Sequence, residues 1–307
     1  MTGQGVTAGG LAVEVGAKQV RLAWIGDGAR PASSLSYAVA DFPTLTDVLL
    51  RFERDSGRPL ANVRCAMSVS GSTAGEVVSI ARGRWTVSRS GLASIFRRPV
   101  LLLNLVSATA WSLLGPSPPR LQQIGGAGAF GLGSPGRWLV ANIDQGVGLA
   151  GIDIGIDGRA RIIDCEMGHC GFPPENAVED ALLHALRKRK QPVSWEHALT
   201  LAPDDALWAG PGLPAGRGQR LDLLAGLAGA FVGDAMLALG AWNGAFVIGT
   251  GSAALASPSS ASVFNSRFEQ QPSFGRVIKQ APRWRMETQD SVLTGLAVAL
   301  AHAEHDR

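Results

Sequence analysis

Glu166 and His169 stand three residues apart, and Glu196 follows in the next segment. Ionised carboxylates accept several hydrogen bonds at fixed angles, and an imidazole can donate or accept. As a bare spacing, Glu-x-x-His is a weak sign of a site. Asn104 closes the apolar run Leu101-Leu102-Leu103. A second group is built from glycine. Gly16 follows Leu11–Val15, Gly146 and Gly148 follow Trp138–Ile143, and Gly249-Thr250-Gly251 follows Ala245–Ile248. Glycines there allow tight turns. A single such turn says little, and the run from Gly126 to Gly133 reads as a plain loop. Cys165, His169 and Cys170 are metal-type residues, but a structural zinc wants four protein ligands and no further cysteine follows. No metal is expected from them.

These residues need elements to hold them. Leu11–Val15 and Val20–Ile25 are β-rich runs around the turn 16–19 and predict a hairpin. Leu35–Ala40 extends it. Thr44–Glu53 carries Val48, Leu49 and Phe52 at helical spacing. Val63–Val69, Glu76–Ile80, Trp85–Val87 and a fully buried Val100–Leu103 follow as strands, then a helix over Leu105–Leu114. Gly115–Gly136 is rich in Gly, Pro and Ser and predicts an irregular connection. The second half repeats the theme with strands at Trp138–Ile143, Val147–Ile154 and Arg159–Asp164, the last two joined by Asp157-Gly158. Helices are expected over Glu175–Arg189, from Ser194, over Leu221–Leu239 and over Gln289–His302, with a buried strand at Ala245–Ile248. Hairpins followed by alternating strand and helix, given twice, predict two α/β domains.

The chain has 307 residues, 46% hydrophobic and 17% charged, which suits two packed domains and argues against disorder. The net charge is +3 and the basic residues are scattered. The run Arg187–Lys190 reads as a solvated helix face, so no nucleic acid is expected. Leu221–Leu239 is interrupted by Asp222, Asp234 and glycines, so no membrane span is expected. Three cysteines and no visible signal peptide point to a cytoplasmic location.

The order of these segments resembles the bacterial glucokinase family. Cys165-Glu166-Met167-Gly168-His169, leading into Glu175–Leu183, is similar to that family's Glu-Gly-Gly-His and the Glu-Asp helix after it. Glu196 falls at its next sugar-binding glutamate. Val63–Gly71 with Gly75–Ile80 and Trp85, Leu101–Asn104, Asp144–Leu149, Phe246–Gly251, and Phe264–Phe268 with Phe274–Ile278 resemble further family segments in the same order. The resemblance implies two ribonuclease-H-like domains of the actin-like sugar-kinase class with a cleft between them. It implies ATP-dependent phosphorylation of glucose at the 6-hydroxyl, with Mg²⁺, and often a homodimer. It assigns Asn104, Glu166, His169 and Glu196 to the sugar, and Gly16, Gly146, Gly148, Gly249, Thr250 and Gly251 to the nucleotide. A small domain of residues 1–105, completed by 290–307, and a large one of 106–289 are expected.

The sequence also departs from the family pattern. The family's strand ends in Asn-Asp, and that aspartate takes the proton from the sugar hydroxyl. Here Leu105 follows Asn104. The family's opening Asp-x-Gly-Gly-Thr-Asn turn is Glu14-Val15-Gly16-Ala17-Lys18-Gln19, in which Ala17 would be strained if the turn needs positive φ and Lys18 adds charge. Gln145 and Val147 stand where small or hydroxyl residues are expected, and Ala81-Arg82 where the family has Thr-Asn. A leucine cannot accept a proton. The expectation is a protein that still binds a hexose but phosphorylates it weakly or not at all, with a non-catalytic, sugar-responsive role as the alternative.

Overall fold

The computed structural model describes residues 9–80, 83, 85–128, 131–255, 257–287 and 290–305. Ala81-Arg82 therefore lies outside the described residues. The chain divides into two compact units, Met1–Pro119 with Thr288–Arg307, and Arg120–Glu287.

The first unit begins with β1 (Gly10–Val15), β2 (Gln19–Gly26), β3 (Arg30–Pro31), β4 (Leu35–Ala38) and α1 (Leu45–Ser56). It continues through β5 (Cys65–Val69), β6 (Val77–Ser79), β7 (Thr86–Ser88), α2 (Arg89–Phe96), β8 (Leu101–Asn104) and α3 (Leu105–Ser112). The main sheet runs β3-β2-β1-β5-β8, with β4 also on β2. β1, β5 and β8 are parallel, and their ends are level: Val15 pairs with Val69, and Val69 with Asn104. One face takes α1 through Leu45, Val48, Leu49 and Phe52. Thr44 and Asp47 form a reciprocal cap at the start of that helix, and left-handed Gly57 ends it. The other face takes α3 and the closing helix Ser291–His305 over a layer that includes Ala12, Ala23, Ala66 and Ala108. The small side chains let the helices come close. A Cβ on Gly295 would overlap the Ala108 carbonyl. α3 packs along the closing helix. The unit boundary thus falls after Pro119, beyond the expected residue 105.

The second unit contains β9 (Leu121–Gly125), β10 (Gly136–Ile143), β11 (Val147–Ile154), β12 (Ala160–Cys165), α4 (Ala177–Arg187), α5 (Trp195–Leu199) and α6 (Arg217–Leu239). β13 (Ala245–Ile248), α7 (Thr250–Ala254), α8 (Pro258–Phe268), α9 (Gly275–Gln280) and β14 (Arg283–Met286) complete it. The sheet order is β12-β11-β10-β13-β14-β9. β10, β13 and β14 are parallel, and β12-β11-β10 is an antiparallel meander. α6 is long and apolar enough to cross a membrane, but most of it is buried in this unit's core. It packs on α8, beside Phe264 and Phe268.

Two expectations change. β8 is not fully buried: it lies at the sheet edge, and only Leu102 is enclosed. The Gly- and Pro-rich stretch 115–136 is not wholly irregular, because β9 pairs with β14.

Candidate active site

In the first unit, Gly16, Asn104 and Leu105 share the carboxyl edge of the parallel strands, where open α/β sheets place their ligands. The 16–19 turn is closed by the Gly16 N–H on the Gln19 carbonyl at 2.9 Å. Among the described residues, none in this turn has positive φ, so Ala17 is accommodated without strain. Lys18 is exposed. The Glu14 carboxylate is not offered to a ligand. Arg21, its antiparallel partner, donates from Nε to Glu14 Oε2 at 2.8 Å. Burial opposes the charge of Arg21, but Glu14 and Asp290 more than offset it and hold the guanidinium above its ordinary value.

Asn104 is the N-cap of α3. Its Oδ1 accepts from the Val106 N–H at 2.7 Å, and its Nδ2 donates to the Gly71 carbonyl at 3.3 Å. Leu105 opens the helix. Its side chain is half-buried and packs against the layer of the closing helix.

In the second unit, four short segments converge at one sheet edge. The loop after β10 is tightened by the Asp144 N–H on the Gly146 carbonyl at 3.0 Å. Glu196, in the first turn of α5, accepts from the Val147 N–H at 3.0 Å, and a Cβ on Gly146 would lie 3.2 Å from the same Oε2. A Cβ on Gly168 would overlap the Val147 carbonyl, so the Glu166–His169 turn lies directly on this loop. Glu166 Oε2 and His169 Nε2 are 3.7 Å apart, both side chains largely exposed. The Trp195 N–H donates to the Cys170 carbonyl at 3.0 Å, tying that turn to α5. Finally, Thr250 Oγ1 donates to Asp144 Oδ1 at 2.5 Å. Gly249 has φ of +89°, and a Cβ there would overlap the Ile143 carbonyl, so only glycine fits the turn that delivers Thr250.

The structure thus brings Gly146, Glu166, His169, Glu196, Gly249, Thr250 and Gly251 together. Gly148 is different: it lies within β11, paired with Asn142, and not in the loop. Among the described residues, no group of three or more His, Cys, Asp or Glu could hold a metal ion.

Sequence reasoning missed two residues. Asp144 places a carboxylate in the loop. His197 accepts the Ser194 N–H at its Nδ1, at 3.0 Å, in the position that glutamate or glutamine takes in a capping box. Burial first, and then the charge of Lys190, hold this imidazole below its ordinary value, while Glu196 pulls the other way. The spacing Ser-x-x-His was the available signal.

A cavity of about 250 Å³ lies within this unit, bounded by Leu199, Leu201, Leu221 and Leu224 and reaching Asp144 and Thr250.

The glucokinase family model matches residues 11–202 and 214–303. The chain belongs to the glucokinase family. It is 29% identical over 296 residues to a glucokinase of Stenotrophomonas maltophilia (strain K279a), covering 88% of this chain and 87% of that one. Its fold is similar to the crystal structure of a glucokinase from an Antarctic psychrotroph, with TM-score 0.75 at 22% identity over 95% and 98% of the two chains. It is also similar to a ROK family glucokinase from Streptomyces griseus in complex with glucose and AMPPNP, with TM-score 0.54 at 16% identity over 94% and 97%. The two mixed sheets are therefore those of the actin-like sugar kinases. The family uses ATP with Mg²⁺. The cavity is mostly apolar, with Asp144, Thr200 and Thr250 as its polar side chains. The Asp144 carboxylate would repel bare phosphate oxygens, but a carboxylate is also a usual ligand of phosphate-bound Mg²⁺.

Proposed function

We propose that this glucokinase-family protein binds a hexose such as glucose through Glu166, His169 and Glu196, and transfers phosphate to it weakly or not at all. The supporting observation is Leu105. It stands directly after Asn104 at the carboxyl edge of the β1-β5-β8 strands and packs into an apolar layer. A hydrocarbon there neither accepts the proton of an attacking hydroxyl nor orients it. Loss of a positioned base costs about 10²–10⁴-fold in rate. On the sugar side, the arrangement offers two carboxylates and an imidazole on segments that hydrogen bonds tie together. Such groups match hydroxyl donors and acceptors. The nucleotide-side turns at Gly146 and Gly249–Gly251 belong to the same reading as remnants of the ATP site.

The test is glucose binding by calorimetry, together with glucose 6-phosphate formation with Mg²⁺-ATP, for the native protein and Leu105→Asp. We expect glucose binding without ordinary kinase turnover, and a gain of turnover in Leu105→Asp. Turnover of the native protein at ordinary kinase rates would overturn the loss of activity. Absence of glucose binding would overturn the sugar assignment.

A further inference from the structure

We propose that the cleft between residues 29–34 and the first turn of the closing helix is a second ligand site, for a small phosphorylated polyol such as a pentose phosphate. All its lining residues belong to the first unit, and none of them is a sugar-side residue of the reading above. Three observations carry it.

First, the space is large enough. The cavity holds about 390 Å³, within the roughly 300–1,000 Å³ of pockets that enclose small molecules. Its walls are β3 and the residues after it, Pro116-Ser117 beyond α3, and the start of the closing helix. No aromatic side chain lines it, so it offers no stacking surface to a base.

Second, its polar groups are left over by the fold. Arg30, Ser33, Ser34, Ser117 and Thr294 line the cavity. Among the described residues, none of their side chains has a hydrogen-bond or ion-pair partner. A guanidinium presents a fork of N–H donors to an oxyanion, and each hydroxyl can donate as well. The three terminal oxygens of a phosphate take up more of these donors than the two of a carboxylate. Asp290, on the helix wall, sets the other end of the ligand. Its Oδ1 accepts from Arg21 at 2.6 Å, which offsets part of its charge and leaves Oδ2 to accept from a ligand hydroxyl. A bare anion would waste Asp290, and a neutral sugar would leave Arg30 unmatched. A ligand with phosphate at one end and hydroxyls at the other suits both walls.

Third, the backbone is strained on both sides of the cavity. Ala29 has φ of +55° and Asp290 φ of +57°. These are two of the four described non-glycine residues in the left-handed region. Such conformations gather at ligand sites.

The experiment is calorimetric titration of the full chain with ribose 5-phosphate, ribose and inorganic phosphate, with glucose in excess to fill the sugar side. The native protein is compared with Arg30→Ala and with Ser33→Ala/Ser34→Ala. All three positions are exposed, so the variants should keep their fold, which circular dichroism checks. Ribose 5-phosphate should bind the native protein about tenfold or more tightly than either ribose or inorganic phosphate, the size expected of charge-assisted hydrogen bonds. Arg30→Ala should bring ribose 5-phosphate down to about the level of ribose and leave ribose itself unchanged. The double serine variant should weaken ribose 5-phosphate by about threefold, as for lost neutral hydrogen bonds. Higher ionic strength should weaken ribose 5-phosphate and not ribose.

Absence of ribose 5-phosphate binding would overturn the proposal. So would ribose binding as tightly as its phosphate, or a ribose 5-phosphate affinity unchanged in Arg30→Ala. Inorganic phosphate binding as tightly as ribose 5-phosphate would mean an adventitious ion only. Glucose affinity should be the same in all three proteins, and it is measured separately, so failure of the hexose reading shows on its own.

Discussion

Arg21 and Glu14 face each other across the first hairpin, with Nη2 and Oε2 2.5 Å apart. The same guanidinium reaches Asp290 Oδ1 at 2.6 Å, at the start of the closing helix. The carboxylate at the end of β1 thus serves to anchor the hairpin to the chain's last helix. Arg21→Ala should leave Glu14 unpaired in a site where its side chain is only 17% exposed. A loss of about 1 kcal/mol in unfolding free energy is expected, above the low end for surface pairs because both partners are partly enclosed. Urea unfolding of the variant measures it, and a Glu14→Gln/Arg21→Ala double variant should recover part of the loss.

Leu105→Asp is a usable test because its structural cost is limited. The leucine is half-buried, so its removal forfeits part of the roughly 1.5–3 kcal/mol of a fully buried side chain. A carboxylate at the first position of α3 regains about 0.3–1 kcal/mol from the helix dipole. The variant should stay folded with a net loss of about 1 kcal/mol. Thermal unfolding followed by circular dichroism would show this, and a variant with native helicity but no cooperative transition would contradict it.

Gly249→Ala should be costly. At φ of +89° an added Cβ is strained, and it would also overlap the Ile143 carbonyl. A penalty of about 1–3 kcal/mol is expected. The effect should reach the Asp144–Thr250 contact, seen by amide exchange at residues 144–147. Gly158→Ala, also left-handed but with open space around its Cβ, should cost less. The comparison separates backbone strain from overlap.

Much of this was legible from residue patterns, for identifiable reasons. The hairpin β1-β2, helix α1 and the meander β10-β11-β12 follow from alternation, helical spacing and turn residues. α2 was not visible because Arg89-Ser90-Gly91 is a poor helical start, and its stability comes from Leu92 and Phe96 packing in the core. β9 was hidden by the Gly- and Pro-rich stretch around it, and β14 by Arg283 and Arg285 in a strand; pairing with neighbours decides both. At the site, Glu166, His169 and Glu196 were legible as residue types. That the 166–169 turn lies on Val147, and that Glu196 holds the loop after β10, depends on contacts that no local pattern encodes.

His197 links acidity to the segment that carries Glu196. Its Nδ1 accepts the Ser194 N–H, so the neutral imidazole caps α5 and the protonated one cannot. Burial disfavours its charge most, Lys190 and His169 add to that, and Glu196 favours it. Its proton affinity in the fold lies below the ordinary value near 6.5. In the window between the two, the unfolded chain binds more protons, so stability rises with pH. The capping contribution is therefore complete above about pH 6.5 and is lost as pH falls through the lowered value. His197→Gln keeps an acceptor at the same helical position and does not titrate. Urea midpoints and glucose affinity measured from about pH 7.5 to 5.5 should decline for the native protein and stay flatter for His197→Gln. His197→Leu should lower both at every pH, by the roughly 0.5–2 kcal/mol of a lost cap in the case of stability. Parallel pH profiles for the native protein and His197→Gln would place the acid-sensitive group elsewhere.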